Sequence, residues 1–334
     1  MKVVGLFSGA GGLELGFKQQ GFNICYALDY MPEACETNRK NLGNHIVCKD
    51  IRDVRHTEIP GGGGYIYLIG ASCRGLSKAN RQTSILENPD NQLTYEWVNI
   101  LKQNKPDIFV SENVPDILEK FDGALAKEII NQLSDLYEIE IKVLNASDYG
   151  VPQLRKRCIM IGSRVGVIRH PKGNPDFKKT VGEALSNLSD DLPNQKDIRR
   201  SSLQTISRFK EVPQGGNWRN IKEFEGKSKH SIVYRRLALN EVAPTFPHAA
   251  KNLVQHPTED RILSVRECAR IMSFPDDFIF YGGLTAKYQQ VANAVPPLMS
   301  EAIARQVKSH LIKNNIWDKN RVNMTQNYKN DIIA

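Results

Sequence analysis

The stretch that decides the fold is the start of the chain, where a β-rich run leads into a glycine-rich turn: Val3-Val4-Gly5-Leu6-Phe7-Ser8-Gly9-Ala10-Gly11-Gly12. Val3–Phe7 predicts a buried first strand, and the apolar spacing of Leu13–Gln20 predicts the helix that follows it. Glycines at such a junction let a ligand approach the backbone and leave helix N–H groups free. The turn is therefore a candidate cofactor loop, although a plain tight turn would use the same residues.

The alternation of strands and helices continues through the first half of the chain. Further strands are predicted at Asn23–Leu28, His45–Cys48, Tyr65–Ile69, Ile108–Ser111, Tyr137–Leu144 and Cys158–Gly162, with further helices at Pro32–Asn41, Thr94–Gln103 and Gly123–Leu136. This pattern predicts an α/β fold with a doubly wound, mainly parallel sheet that has helices on both faces. Ligands in such sheets bind at the carboxyl ends of the strands.

The second half of the chain has a different character. Pro, Gly, Asn and charged residues dominate from residue 167 to residue 229, which predicts irregular, loop-rich structure of the kind that supplies recognition loops. Helical patterns return at Ser264–Met272 and Pro297–Ile312. A length of 334 residues is itself consistent with about two domains.

Composition excludes several classes of protein and suggests one class of partner. With 40% hydrophobic and 25% charged residues, the chain is neither disordered nor fibrous, and no apolar run approaches the ~18 residues that span a bilayer. Six scattered cysteines without a CxxC pair argue against a zinc site or a disulfide framework. Of the net charge of +8, residues 165–240 hold +7, with 15 Lys/Arg against 8 Asp/Glu. This excess predicts a polyanionic partner such as nucleic acid, although a solvated cationic surface would show the same count.

Acidic residues follow the next two predicted strands, at the edge of the sheet where the first loop lies. Asp29 stands 20 residues beyond Gly9, a position from which a carboxylate can hold ribose hydroxyls. Asp50 closes the third strand and is a candidate partner of an adenine amino group. Because Glu14 takes the place of the third glycine of the dinucleotide fingerprint, an adenosine cofactor without a pyrophosphate fits better.

Four further motifs follow in order along the chain: Gly70-Ala71-Ser72-Cys73-Arg74-Gly75-Leu76-Ser77, Glu112-Asn113-Val114, Gln153-Leu154-Arg155-Lys156-Arg157 and Ala292-Asn293-Ala294-Val295-Pro296. With the first loop in front of them, they resemble the ordered motifs of DNA (cytosine-5)-methyltransferases of the bacterial restriction-modification type. Parts of residues 213–245 and 266–278 are similar to the bacterial members as well. The resemblance spans residues 3 to 305 and leaves 166–212 without a clear match.

The resemblance implies transfer of a methyl group from S-adenosyl-L-methionine to C5 of a cytosine in a specific duplex DNA sequence. C5 is a poor nucleophile, so a thiolate first adds to C6, and Cys73 is the candidate thiol. Glu112 would hydrogen-bond the exocyclic amine and protonate N3. Arg157, with Arg155 beside it, would hold the base O2 and the cysteine loop, and Asn113 completes the candidate catalytic set.

The family's cofactor motifs fall on the first loop, the ends of the second and third strands, the cysteine loop, the helix after it and the C-terminal motif. The candidate cofactor contacts are Phe7, Ser8, Gly9, Ala10, Gly11, Gly12, Asp29, Tyr30, Asp50, Ile51, Ser72, Leu93, Asn293, Ala294 and Val295. A base inside a duplex must be flipped out to meet a thiol, so the basic, loop-rich segment must hold the DNA. Its candidate DNA contacts are Arg199, Arg200, Arg208, Arg219, Arg235 and Arg236.

Asn293 and Val295 match the family's cofactor-contacting motif, so the C-terminal segment is expected to rejoin the cofactor-binding domain. We therefore expect a catalytic and cofactor-binding domain at 1–180 and 286–334, with a smaller target-recognition domain at 181–285. Duplex DNA is the expected partner, together with a cognate restriction endonuclease that acts on the same site. We further expect a cytoplasmic monomer with no membrane association and no metal.

The chain departs from the family around the candidate nucleophile. The family has Pro-Pro-Cys-Gln where this chain has Ala71-Ser72-Cys73-Arg74. The family's proline before the cysteine shapes the loop and touches both cofactor and base, so Ser72 bears on turnover rather than on the fold. Two alternatives stay open: a catalytically impaired relative that binds DNA and cofactor, and a tRNA cytosine-5 methyltransferase with the same catalytic motifs.

Overall fold

The strands of the protein form one large and one small sheet. The computed structural model describes residues 1–71 and 89–317. Its strands are β1 (Lys2–Leu6), β2 (Asn23–Asp29), β3 (Ile46–Cys48), β4 (Tyr65–Ile69), β5 (Ile108–Asn113), β6 (Glu138–Asn145), β7 (Gln153–Leu154), β8 (Lys156–Ser163) and β9 (Ala243–Pro244). The large sheet has seven strands in the order β3-β2-β1-β4-β5-β8-β6, while β7 pairs with β9. Apart from β8, which is antiparallel to β5 and β6, the large sheet is parallel, so the predicted fold class is confirmed.

The helices cover the sheet and build the second half of the chain. They are α1 (Gly12–Gln19), α2 (Pro32–Leu42), α3 (Pro89–Asn104), α4 (Asp116–Glu119), α5 (Ala124–Leu133), α6 (Val181–Leu185), α7 (Leu203–Lys210), α8 (Ala249–Asn252), α9 (Val265–Ile271), α10 (Leu284–Asn293) and α11 (Pro297–Lys313). The sequence pattern predicted α1, α2, α3, α5, α9 and α11 within a few residues. It missed the short helices α4, α6, α7 and α8, of which α6 and α7 lie in the segment predicted to be irregular. It also missed α10, because polar residues at 287, 289 and 290 interrupt the apolar spacing of that helix.

The sheet is buried on both faces, which explains its continuous apolar strands. All six residues of β5 are buried, as expected of a strand covered on both sides. One face packs Leu6 and Phe109 against α3 and α5, and the other packs Val3 against α1 and α11. The strand order switches direction between β1 and β4, with β2 and β3 on one side and β5 on the other, so the crevice at the carboxyl ends of β1 and β4 is the expected ligand site.

Residues 181–294 have an apolar core of their own. It is rich in aromatic side chains, including Phe209, Trp218, Phe224, Phe274 and Phe280. The same cluster reaches the first half of the chain through Ala10, Leu15 and Leu42. A core in this region is compatible with the predicted recognition domain at 181–285, whose boundaries stay a prediction.

The described residues show neither membrane spans nor metal-binding clusters. No helix within residues 1–71 and 89–317 combines the length and the apolar character needed to cross a bilayer. The same residues contain no group of three or more His, Cys, Asp or Glu side chains that could hold a metal ion. The five cysteines that the structure describes are free thiols.

The contact between α1 and α11 gives a test of the packing. A Cβ on Gly16 would lie 2.4 Å from the Glu301 backbone nitrogen and 2.5 Å from Ser300 Oγ. Helix propensity favours alanine over glycine by about 1 kcal/mol, but overpacking against backbone costs about 1–3 kcal/mol. We therefore expect Gly16→Ala to lower the free energy of unfolding in urea. Gly283→Ala, with no atom within 4 Å of the added Cβ, is the control, and equal stability of both variants would contradict this packing.

Candidate active site

The carboxyl ends of the parallel strands open into one cavity of about 820 Å³. Its wall brings together most of the predicted site residues: Phe7, Ser8, Gly9, Ala10, Gly12, Asp29, Tyr30, Asp50, Ile51, Leu93, Asn293, Ala294 and Val295 with Glu112, Asn113, Arg155 and Arg157. The predicted cofactor residues and the predicted catalytic residues thus face the same space. Ser72 and Cys73 lie outside the described residues.

The first loop is held to the end of β2 by a buried carboxylate. Asp29 accepts a hydrogen bond from the Gly9 backbone N–H at 2.7 Å and another from the Met31 N–H at 2.9 Å. Burial raises the pKa of Asp29, and these hydrogen bonds oppose the rise. Gly11, which precedes α1 with a φ of 93°, is outside the cavity wall, and a Cβ there would meet Leu42 and Asn38. Its role in the structure is therefore close packing rather than lining the cofactor site.

The end of β3 is organised by a local ion pair. Asp50 caps a short 3-10 helix, and its carboxylate accepts hydrogen bonds from Arg52 Nε at 2.9 Å and Arg52 Nη2 at 2.6 Å. These bonds lower the pKa of Asp50 to about 2. Arg52, which the sequence did not single out, also lines the cavity. A ligand amino group that binds Asp50 must therefore share the carboxylate with Arg52.

The opposite end of the cavity contains a nearly buried ion pair. Arg157 Nε lies 2.6 Å from Glu112 Oε1, and the two side chains are 14% and 11% exposed. The antiparallel pairing of β5 with β8 sets Asn113 opposite Cys158, so Glu112 and Arg157 are diagonal neighbours across the two strands. A charge-assisted hydrogen bond with so little water around it fixes both side chains.

Asn113 and Arg155 support the site from either side. The Asn113 amide donates to the Ala71 carbonyl at 3.3 Å, which links the end of β5 to the start of the cysteine loop. Arg155 is 1% exposed, and its Nη2 donates to the carbonyls of Ala292 at 2.8 Å and Ala294 at 3.0 Å. Burial and the nearby Arg157 lower the pKa of Arg155 to about 9. The predicted role of Arg155 is corrected accordingly: it holds the C-terminal cofactor motif rather than a base.

Comparison with known proteins agrees with this geometry. The profile of the C-5 cytosine-specific DNA methylases matches residues 1–309. The chain belongs to this family. It is 33% identical to Type II methyltransferase M1.HphI of Haemophilus parahaemolyticus over 330 residues, which cover 92% of this chain and 86% of that protein. Type II methyltransferase M.MthTI of Methanothermobacter thermautotrophicus is 34% identical, with 93% and 98% covered.

A solved structure shows the same fold. A prophage-encoded E. coli protein assigned as a DNA modification methyltransferase superposes with a TM-score of 0.74 at 23% identity, covering 93% of this chain and 99% of that one. The family and the relatives together make this chain a DNA cytosine-5 methyltransferase of the restriction-modification type, as the ordered motifs predicted.

The methylase cavity also has residues that the motifs did not indicate. They are Leu13, Glu14, Lys49, Arg52, Thr245, Pro247, Gln289 and Gln290 among others. The Thr245 hydroxyl donates to the Leu154 carbonyl, so the second half of the chain reaches the cavity beside the arginine motif. Thr245 lies in the segment similar to bacterial members, which was the available signal, whereas only the tertiary fold reveals Gln289 and Lys49.

The six arginines predicted to contact DNA divide into exposed and paired side chains. Arg199 and Arg200 are exposed, as is Arg219, whose guanidinium lies 4.9 Å from the Trp218 ring centre. Arg208, in contrast, makes two hydrogen bonds to Glu223 at 2.7 and 2.8 Å. Exposed cations remain candidates for phosphate contacts, because they need not break an internal ion pair to bind DNA.

The last two arginines of the set differ from each other. Arg235 lies 3.6 Å from a Glu241 carboxylate oxygen. Arg236 is buried, with hydrogen bonds to the Val212 carbonyl at 2.6 Å, to Asp260 at 2.6 Å and to three further carbonyls. The prediction of a DNA contact is therefore wrong for Arg236, which joins loops of the second half of the chain.

The different environments of Arg236 and Arg219 predict that replacement by alanine destabilises the protein strongly at Arg236 and only weakly at Arg219. Arg236→Ala leaves several backbone carbonyls of the core without their donor and removes the partner of the exposed Asp260, so we expect it to lower the free energy of unfolding by at least about 2 kcal/mol. Arg219→Ala removes an exposed side chain and should change stability by less than about 1 kcal/mol. Chemical denaturation of both variants measures the difference. A loss of equal size in both would contradict the internal role of Arg236.

Proposed function

We propose that the protein transfers a methyl group from S-adenosyl-L-methionine to C5 of a flipped-out cytosine in a specific duplex DNA sequence. The observation that carries this proposal is the single cavity that joins the first loop to the Glu112–Arg157 pair. A methyl donor at one end and a cytosine at the other would then meet inside the same cavity. The family of the chain supports the same reaction class.

The donor groups of the cavity fit an adenosine cofactor with a cationic end. Each oxygen of Asp29 accepts one backbone N–H, and a carboxylate oxygen has a second lone pair for a ribose hydroxyl. Asp50 and Ile51 would receive the adenine, while Asn293, Ala294 and Val295 close the wall opposite Gly12. When bound, the cofactor supplies an electrophilic methyl group on a sulfonium.

The chain's own residues would prepare the cytosine. Glu112, paired with Arg157 at 2.6 Å, would take up a proton from solvent as the base binds, hydrogen-bond the exocyclic amine and pass that proton to N3, while Arg157 would hold O2. The Cys73 thiolate would add to C6, which places electron density on C5. After C5 has taken the methyl group, a base removes its proton and the bond between sulfur and C6 breaks. Asn113 would fix the position of Ala71, the first residue of the cysteine loop, through the hydrogen bond to its carbonyl.

The exposed arginines of the second half would hold the duplex while the base is outside it. Flipping a base costs a few kcal/mol, which contacts to phosphates and to the gap in the stack must offset. Arg199, Arg200 and Arg219 are available for such contacts. We further propose that the protein acts as a monomer and shares its site with a cognate endonuclease, since its relatives include Type II methyltransferases.

One departure favours a second candidate function, a relative that binds DNA and cofactor with impaired turnover. Its support is the sequence Ala71-Ser72-Cys73-Arg74 in place of Pro-Pro-Cys-Gln. Bisulfite sequencing of DNA from an expressing host distinguishes the two functions and reports the sequence context. We expect methylated cytosines in one short sequence. Unmethylated DNA together with a gain of activity in the Ser72→Pro, Arg74→Gln double variant would establish the impaired relative.

The nucleophile is tested by trapping. We expect the parent protein to form a covalent adduct with duplex DNA that contains 5-fluorocytosine, because fluorine at C5 prevents the elimination that frees the thiol. Cys73→Ser should form no adduct and transfer no methyl group, while its cofactor affinity stays near that of the parent, since a hydroxyl is a far weaker nucleophile. Cys48→Ser, at an exposed cysteine, is the control. An adduct that maps to any other cysteine would disprove the assignment.

Salt dependence tests the DNA surface. Each phosphate contact contributes about −0.9 to the slope of log affinity against log salt concentration. We expect Arg219→Ala to reduce the magnitude of this slope by about one and to weaken all sequences alike, or to relax one base position if it reads a base edge. Arg305→Ala, an equal charge change on α11, should leave the slope unchanged. Identical slopes for Arg199→Ala, Arg200→Ala, Arg219→Ala and the parent would show that DNA binds elsewhere.

A further inference from the structure

Glu14 is a buried carboxylate in α1 that the proposed reaction leaves unused. Its side chain is 1% exposed and lines the cofactor cavity. Glu14 Oε2 has no hydrogen-bond partner within the described residues, while the neighbouring Ser8 hydroxyl, which lines the same cavity, faces the Glu14 carboxylate. Polar atoms that are buried without partners are costly and rare in folded proteins. An unsatisfied carboxylate oxygen at the wall of a cavity points to a ligand that completes its hydrogen bonds.

The backbone of β1 makes room for this carboxylate. A Cβ on Gly5 would lie 2.2 Å from Glu14 Oε1 and 2.4 Å from Ser8 Oγ, so the two polar groups occupy the space above a glycine. The residue at position 5 thus determines where the Glu14 carboxylate can lie. An alanine at Gly5 would move the carboxylate without removing its charge.

The electrostatic surroundings of Glu14 lack a counter-ion. From β2, Asp29 faces it with a negative charge, the loop contributes the Ser8 hydroxyl, and β1 contributes the uncharged backbone of Gly5. Among the described residues no lysine or arginine forms an ion pair with it. Burial raises the pKa of Glu14 to about 7; hydrogen bonds from the Ser8 hydroxyl and the Glu14 backbone oppose the rise, and the nearby Asp29 adds a smaller increase.

We propose that Glu14 is a cofactor-binding residue whose ionised carboxylate receives a cationic group of S-adenosyl-L-methionine, and that cofactor binding expels a proton from it. The proposal rests on the function proposed above, and it names a contact that the motifs did not indicate. The cofactor carries two cations, a sulfonium and an α-ammonium, and either would supply the positive charge that the wall lacks.

The proposal fixes how affinity depends on pH. Glu14 is partly protonated near neutral pH in the cofactor-free protein, and a bound cation favours the charged form. Affinity is therefore highest above pH 7 and falls as the pH decreases through the pKa of the free protein. If Glu14 must be ionised to bind the cofactor, binding is about tenfold weaker at pH 6 than at pH 8, and each binding event at pH 7 releases about half a proton.

The test is titration calorimetry of the full chain with S-adenosyl-L-methionine at pH 6, 7 and 8, in buffers of different ionisation enthalpy. We expect the parent to lose about tenfold in affinity and to release about half a proton at pH 7. Glu14→Gln should bind about tenfold more weakly than the parent at pH 8, with little change between pH 6 and pH 8. Glu14→Asp should retain the pH dependence. Glu36→Gln, at an exposed acid of α2, is the matched control and should bind like the parent.

Binding of S-adenosylhomocysteine, which lacks the sulfonium, identifies the cationic group. A loss of affinity in Glu14→Gln for the methyl donor alone assigns the sulfonium, and an equal loss for both ligands assigns the ammonium. Gly5→Ala should reproduce the loss, and adding it to Glu14→Gln should weaken binding no further. The glutamine variant should melt no lower than the parent at pH 8, since it removes a buried charge.

Two results would overturn the inference, and they are distinguishable. If the parent binds the methyl donor without proton release and Glu14→Gln binds it equally well, Glu14 is only a packing residue and the proposed function stands. If the parent does not bind the methyl donor at any of the three pH values, the cofactor assignment fails and this inference fails with it.

Discussion

The close approach of α11 to α1 is the constraint on which the site depends. A Cβ on Gly12 would lie 2.4 Å from the Val295 carbonyl oxygen, and one on Gly16 would lie equally close to the Glu301 nitrogen. The Ser300 hydroxyl donates to the Leu13 carbonyl within the same contact. Because α1 begins at the first loop, this packing sets the residues before α11 against that loop, although almost the whole chain separates them in sequence. The cavity therefore exists only when the C-terminal helix is in place.

Within the cavity, four carboxylates have four different environments. Asp29 accepts backbone N–H groups, Asp50 pairs with the exposed Arg52, Glu112 pairs with the nearly buried Arg157, and Glu14 has no cationic partner. A cation bound near the first loop would meet an uncompensated negative wall, whereas a base beside Glu112 would meet a balanced pair. The charge distribution thus distinguishes the first-loop end of the cavity from the end that contains Glu112 and Arg157.

The sequence predicted the sheet and most of the cavity wall, but it could not predict which charges pair. Buried strands such as β1 and β5 contain runs of apolar residues, and the motifs at their ends keep a fixed order. Both features can therefore be recognised in the sequence alone. The partners of Arg236 and Arg155 are backbone carbonyls from distant loops, and nothing local distinguishes these arginines from the exposed Arg219. Glu14 was noted only as a missing glycine, because its burial follows from the space that Gly5 leaves in the folded protein.

The arrangement of charged residues at the two ends of the cavity also bears on the unusual cysteine loop. Its first residue, Ala71, is held by Asn113 through a carbonyl, a contact that any side chain at position 71 would permit. The donors and acceptors that define the two ends of the cavity come from β2, β5, β8 and the residues before α11, and none of these requires a proline near the cysteine. Loss of the two prolines therefore leaves the Asp29 contacts and the Glu112–Arg157 pair unchanged. We therefore expect the main effect of this loss to fall on the proposed step of the Cys73 thiol, its addition to C6 and its departure after methyl transfer.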